Sequence, residues 1–295
     1  FLNRFPTVAD LAAAPLDDVL TLWAGLGYYS RARNLHRCAQ AVVADHGGRF
    51  PPTVEALITL PGIGPSTAAA IASFCFEVQT SIMDGNVKRV LSRVLAWDQD
   101  LAVKTHERQL WDAANHLVPE KAKDMPAYTQ GLMDLGATVC SPRKPSCLMC
   151  PWMDLCGARL TDEPERFPVK SRKLKRSERA SWPLWLEWQG QVWLRQMPDT
   201  GIWAGLWTMP LFDTESDLRS MVELGGAEAE PQPRIKHVLT HLDWWLQPHR
   251  VVLQQEPAAA LMQALGQRDS SGRWVPLNRL HEWGLPAPFK KMLVG

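Results

Sequence analysis

The chain has 295 residues, of which 46% are hydrophobic and 21% charged, with a formal net charge of +1. At roughly 100–200 residues per domain this length predicts two domains, each with apolar material enough for its own core. No apolar run reaches the roughly eighteen residues that a membrane-spanning helix needs, which excludes one, and the balanced charge leaves any nucleic-acid contact to local patches.

The chain opens Phe1-Leu2-Asn3-Arg4-Phe5-Pro6, with no Met and no charged-then-apolar plan of a signal peptide. It reads as though it starts inside an element, so a preceding N-terminal piece is expected. Thr7 caps a first helix that Pro15 ends. Residues 17–26 repeat the pattern until Gly25-Leu26-Gly27 breaks it. A longer helix follows over 30–46, with Arg31, Arg33, His36 and Arg37 at its polar positions. Thr53 caps 54–60, and Pro61-Gly62-Ile63-Gly64 turns the chain into a helix over 65–74. Over 86–97, Val87, Val90, Leu91, Val94 and Leu95 form an apolar stripe of helical period, with Lys88, Arg89 and Arg93 on the other side. Helices near 103–117 and 126–138 complete an all-α half.

Four of the six cysteines then fall close together, at Cys140, Cys147, Cys150 and Cys156, while Cys38 and Cys75 sit alone in helical patterns as small hydrophobes. Without a secretory signal, such a cluster predicts a metal site rather than disulfides. Zinc and a four-iron cluster both accept four thiolates. The single Cys-x2-Cys hook with uneven outer spacings favours the larger iron–sulfur cube. Next come Lys170, Arg172, Lys173, Lys175, Arg176 and Arg179, which read as a basic linker, either a solvated connector or a phosphate contact. After Trp182 the composition changes, and ten of the fourteen tryptophans lie from there on. Residues 184–188 and 191–196 flank Gln189-Gly190 as a hairpin. Segments 203–209 and 234–247 read as extended, and 213–224 and 257–265 as helical, giving an α+β half.

The hairpin turn carries chemistry. Gly62 and Gly64 let the backbone approach a phosphate, and the following helix aims free N–H groups at the anion. Twenty residues on, Asp84-Gly85-Asn86 begins the next helix. Asp84 can be a plain N-cap, or an anion in the favourable field of the helix N-terminus, placed to stabilise the oxocarbenium-like sugar of a breaking glycosidic bond.

The four-Cys spacing after an all-helical region resembles the endonuclease III superfamily of DNA glycosylases. The resemblance implies a helix–hairpin–helix grip on DNA, a structural [4Fe-4S] cluster, and Asp84 as the catalytic aspartate with Asn86 beside it. Ser66 stands where the strand-cutting members carry a lysine that attacks the sugar, so the chemistry implied is monofunctional. Arg143 and Lys144, in the loop between the first two cysteines, would touch DNA. The segment Gly25-Leu26-Gly27-Tyr28-Tyr29-Ser30-Arg31 resembles that of MutY-type adenine DNA glycosylases, which implies Tyr28 as a wedge beside 8-oxoguanine, with Tyr29 in the core.

The C-terminal half then resembles a Nudix domain. Residues 217–225 lack the paired carboxylates of a working Nudix hydrolase, implying recognition without hydrolysis. Leu239-Thr240-His241 stands for the family's lesion-reading loop, with the hydroxyl kept in Thr240 and the aromatic lost. The implied layout is a helix–hairpin–helix glycosylase domain over 1–138, a cluster loop over 139–160, a basic linker over 161–181 and an α+β Nudix-like domain over 182–295. The implied partner is double-stranded DNA with 8-oxoguanine:A or G:A mispairs. The implied protein is a bacterial cytoplasmic monomer, nucleoid-associated on DNA, that touches no membrane. The family's catalytic glutamate would lie upstream of Phe1, so a chain lacking it would bind lesions without excising adenine. A strand-cutting enzyme of the endonuclease III kind is the other alternative.

Overall fold

A computed structural model describes residues 1–171, 175–268 and 271–294. Arg172 and Lys173 of the basic run lie outside the described residues. In chain order the helices are α1 (Val8–Ala13), α2 (Leu16–Leu22), α3 (Tyr29–His46), α4 (Val54–Ile58), α5 (Pro65–Phe76), α6 (Gly85–Val94), α7 (Lys104–Asn115), α8 (Met125–Asp134) and α9 (Gly157–Leu160). There follow β1 (Ser177–Trp188), β2 (Gln191–Gln196), β3 (Trp207–Thr208), β4 (Leu211–Phe212), α10 (Glu215–Glu223), β5 (Glu230–Pro231) and β6 (Ile235–Val238). The chain ends with β7 (Leu242–Leu246), β8 (His249–Leu253), α11 (Ala259–Arg268), β9 (Arg273–Pro276) and α12 (Ala287–Val294). Two compact units result, Ala44–Lys173 and a second made of Phe1–Val43 with Leu174–Gly295.

In the 44–173 unit the α6 stripe does what its period predicts. Val87, Val90 and Leu91 are buried against Leu101, Leu110, Ala114 and Leu132, each large side chain worth roughly 1.5–3 kcal/mol relative to exposure. A π-helical turn, Leu135–Val139, continues α8 towards Cys140. Its Gly136 lies on the first turn of α6, where an added Cβ would stand 2.7 Å from the Asn86 Cβ. Glycine is required there for space. Arg93, expected on the polar side of α6, is instead 2% exposed.

The other unit is organised by β1. Its first half pairs in parallel with β7, from Ser177↔Leu242 to Ser181↔Leu246. Its second half pairs in parallel with β8 and turns antiparallel into β2. Gln189 and Gly190 join β1 and β2 with φ of 46° and 71°, as a tight turn matching strand twist requires. The last residues of the expected linker, from Ser177, are therefore strand. Arg176 pairs with Asp243, and Arg179 reaches Asp213 at 3.2 Å while lying over the Trp244 ring.

One sheet face packs on α10 and α11 through Leu186, Phe212, Leu218, Val251 and Leu261. The other face gathers Leu194, Leu206, Trp207, Trp244 and Phe289 in one core with Phe5, Leu11, Val19, Leu20 and Tyr29. Residues 1–43 thus belong spatially with the strands, a different division from the 1–138 and 182–295 read from pattern. Periodicity marks which face of a helix is apolar, but not which partner covers it. His36 likewise leaves its expected polar position. It is 7% exposed, and its Nε2 donates to the Ala14 carbonyl at 2.9 Å.

Candidate functional site

In the 44–173 unit the hairpin, Ser66 and Asp84 come together. Gly62 has φ +77°, which only glycine adopts without strain. Gly64 has ordinary φ, and no atom lies within 4 Å of where its Cβ would be. Its smallness serves an approach from outside. No side chain caps α5 at Gly64, so the first amides of this helix are available to an anion. The Ser66 Oγ accepts the N–H of Met83 at 3.0 Å, which ties the start of α5 to the residue before Asp84. Asp84 accepts the Val87 N–H at 2.7 Å through Oδ1 and is the N-cap of α6. The N-cap reading of the aspartate therefore holds, and the cap fixes the rotamer of a half-buried carboxylate at a positive helix end.

Asn86, in the first turn of α6, accepts from Arg89 Nη2 at 2.9 Å. The same guanidinium donates to the Gly136 carbonyl at 2.6 Å and the Cys140 carbonyl at 2.8 Å. Arg89 thus joins the acid-bearing turn to the first cysteine of the cluster. Sequence reasoning missed Arg89 and Arg93 as site residues. The available signal was their spacing, three and seven residues past Asn86 on one helix.

Cys140, Cys147, Cys150 and Cys156 line one cavity, together with Arg93 and Arg159, and none of the four is paired in a disulfide. Among the described residues no three Cys, His, Asp or Glu side chains are placed to hold a single ion. Four thiols lining one shared cavity suit a metal centre with four sulfur ligands. Burial pushes the Cys147 thiol up, and the sulfurs of Cys156, Cys140 and Cys150 add to this, while Arg93 opposes it. Bound iron reverses that balance by holding thiolates outright. The loop tip is exposed at Arg143 and Lys144. It is shaped by Ser141 Oγ, which donates to the Arg143 carbonyl at 2.8 Å, and by the Lys144 N–H, which donates to Glu165 at 2.8 Å.

The unit of 1–43 with 174–295 holds a groove of about 690 Å³, lined by Tyr28, Arg33, Trp203, His237, Thr240 and His241 among others. Tyr28 is 68% exposed and has φ +48°, next to Gly27 at +69°. Tyr29 is 8% exposed, its hydroxyl accepting the Gly25 N–H at 3.2 Å. The Tyr28 and Thr240 hydroxyls are hydrogen-bonded at 3.1 Å across 212 residues of sequence. Arg31 lies 5.2 Å from the Tyr28 ring centroid. Trp203 stacks on Trp244 at 4.3 Å and leans on His237, and burial holds the His237 ring below its ordinary pKa. On α10, Glu215 is engaged by Arg219 at 2.6 Å and by His249 at 3.3 Å.

Three family models match the chain. Residues 1–116 match the HhH-GPD superfamily base excision DNA repair protein, 140–156 the iron–sulfur binding domain of endonuclease III, and 182–294 the NUDIX domain. The iron–sulfur match begins on Cys140 and ends on Cys156, so the cavity belongs to an iron–sulfur cluster and zinc is set aside. A helical glycosylase region, a cluster loop and a Nudix domain together define a DNA-binding glycosylase of base excision repair. The chain is 31% identical to an adenine DNA glycosylase of Buchnera aphidicola, over 99% of this chain and 83% of that one. It is 32% identical to the human adenine DNA glycosylase, over 99% of this chain and 63% of that one. The chain belongs to the adenine DNA glycosylase family.

Proposed function

We propose that this glycosylase removes adenine paired with 8-oxoguanine or guanine, and that it does so by hydrolysis alone. The observation that carries this reading is the contact of Ser66 with Met83 beside Asp84. A hydroxyl, not an amine, stands next to the acid, and a hydroxyl forms no imine with the sugar. Asp84 is the anion facing the sugar cation as the glycosidic bond breaks, held in place by its own cap. Asn86 assists from the same turn, oriented by Arg89.

Duplex DNA is gripped at Gly62 and Gly64 through backbone amides and at Arg143 and Lys144 through phosphates. Tyr28 stacks beside the lesion, and Thr240 and His241 read it from the same groove. The iron–sulfur cluster, when bound, supplies a rigid cross-link that orders the loop carrying Arg143 and Lys144. The protein works as a cytoplasmic monomer.

The test uses protein expressed from its complete reading frame, under single-turnover conditions, on duplexes with 8-oxoguanine:A, G:A and T:A pairs. The first two should be cleared of adenine and the third left intact, with no adduct trapped by borohydride. A borohydride adduct, or release of adenine from T:A at the same rate, refutes the proposal.

A further inference from the structure

Arg93 is the most buried cation whose contacts lead to the cluster. It is 2% exposed, at the far end of α6 from Asp84. Its Nη1 donates to the Cys140 sulfur at 3.2 Å and to the Ser141 carbonyl at 2.7 Å. Its Nη2 donates to the Pro142 carbonyl at 3.1 Å and its Nε to the Phe167 carbonyl at 3.2 Å. Its own carbonyl lies 3.5 Å from the Cys156 sulfur. None of these partners is a carboxylate. A guanidinium cannot shed its proton, and a buried one without an anion carries a large desolvation cost. Four thiolates outweigh the charge of the iron core, so the loaded cavity holds a net anion against this side chain. Arg159 also lines the cavity, but it is partly exposed and its charge is screened by water.

We infer that Arg93 is the built-in counter-charge of the iron–sulfur cluster, a positioning residue that holds the thiolate set in the interior and raises the cluster's reduction potential. The direction follows from charge. Reduction adds an electron to an anionic group, and a cation with a hydrogen bond to a ligand sulfur stabilises the more negative state. The carbonyl partners hold the planar fork, so the cation stays in place whichever oxidation state is present.

The test is Arg93→Gln and Arg93→Lys in the complete protein, purified anaerobically, with iron and sulfide content measured and the one-electron potential titrated by the paramagnetic signal of the oxidised cluster. Gln keeps some hydrogen bonding and removes the charge, and it should raise the oxidised-to-reduced ratio at fixed potential about tenfold, a downward shift of about 59 mV. Lys keeps the charge, and it should load the cluster and shift the ratio by less than half as much on a logarithmic scale. Loss of the cluster from the Gln protein while the Lys protein loads supports the counter-charge as well. A loaded Gln protein with an unshifted potential overturns it. So does equal behaviour of the two variants, whether as equal loss of the cluster or as an equal shift, since that would assign the effect to the shape of the fork.

Discussion

Replacing Asp84 by Asn separates the two roles of this side chain, because asparagine caps helices about as well as aspartate while carrying no charge. The cap bond to the Val87 N–H is 2.7 Å, and an Asn side-chain oxygen can accept it in the same rotamer. Helix α6 should therefore keep its start, and stability should change by only a few tenths of a kcal/mol. The catalytic loss is of a different size. A unit charge about 4 Å from a developing cation, at an effective dielectric near 20, is worth about 4 kcal/mol, or about 10³-fold in rate. Asp84→Ala removes both the charge and the cap, adding about 1 kcal/mol of destabilisation, which lowers the thermal midpoint by about 2–4 °C in a domain of this size. The assay pairs single-turnover adenine release with thermal unfolding for wild type, Asn and Ala in the complete protein. Adenine release by the Asn protein within tenfold of wild type would refute the charge argument. A midpoint for Asn as low as that for Ala would show that the two residues do not share the cap.

Other consequences can be measured on the same protein. Arg143→Ala and Lys144→Ala should each lower the slope of log affinity against log salt by about 0.9 per lost phosphate contact, leaving adenine release from saturated complexes unchanged; an unaltered slope removes that residue from the interface. Tyr28→Ala should weaken lesion-duplex binding by about 1–3 kcal/mol, the range for one stacked base, and Tyr28→Phe, which loses only the Thr240 bond, by less; equal affinities for wild type and Ala would take Tyr28 off the DNA. Burial depresses the pKa of His237, so below about pH 6.5 the unfolded chain binds more protons than the folded one. Stability should then fall as pH drops through that region, and His237→Gln should flatten the fall; superimposable midpoint–pH curves would contradict this.

Local chemistry is legible in one dimension. Thr7 and Thr53 act as caps because a hydroxyl before an apolar-periodic run satisfies a free amide wherever the helix goes. The Gln189-Gly190 turn, the stripe of α6 and the gathering of four cysteines are local in the same sense, and the spacing of Asp84 and Ser66 to the hairpin carries the resemblance that implies their roles. The resemblance of the Tyr28-Tyr29 segment implies an outward Tyr28 and a core Tyr29, and their exposures of 68% and 8% differ in that sense.

What the tertiary structure alone decided is which surfaces meet. Arg93 reads as a polar-face cation, yet it is buried, because the loop carrying Cys140, Ser141 and Pro142 folds back over it with a row of acceptors. The apolar faces of residues 1–43 fit a helical core by pattern but are buried among strands from the other end of the chain. The basic run ends in β1 because its residues from Ser177 pair in parallel with β7, distant in sequence, and there Arg176 and Arg179 also meet Asp243 and Asp213. The hydroxyls of Tyr28 and Thr240 face each other across 212 residues. Burial and pairing depend on partners brought in from far along the chain, and a periodic pattern holds no record of who those partners are.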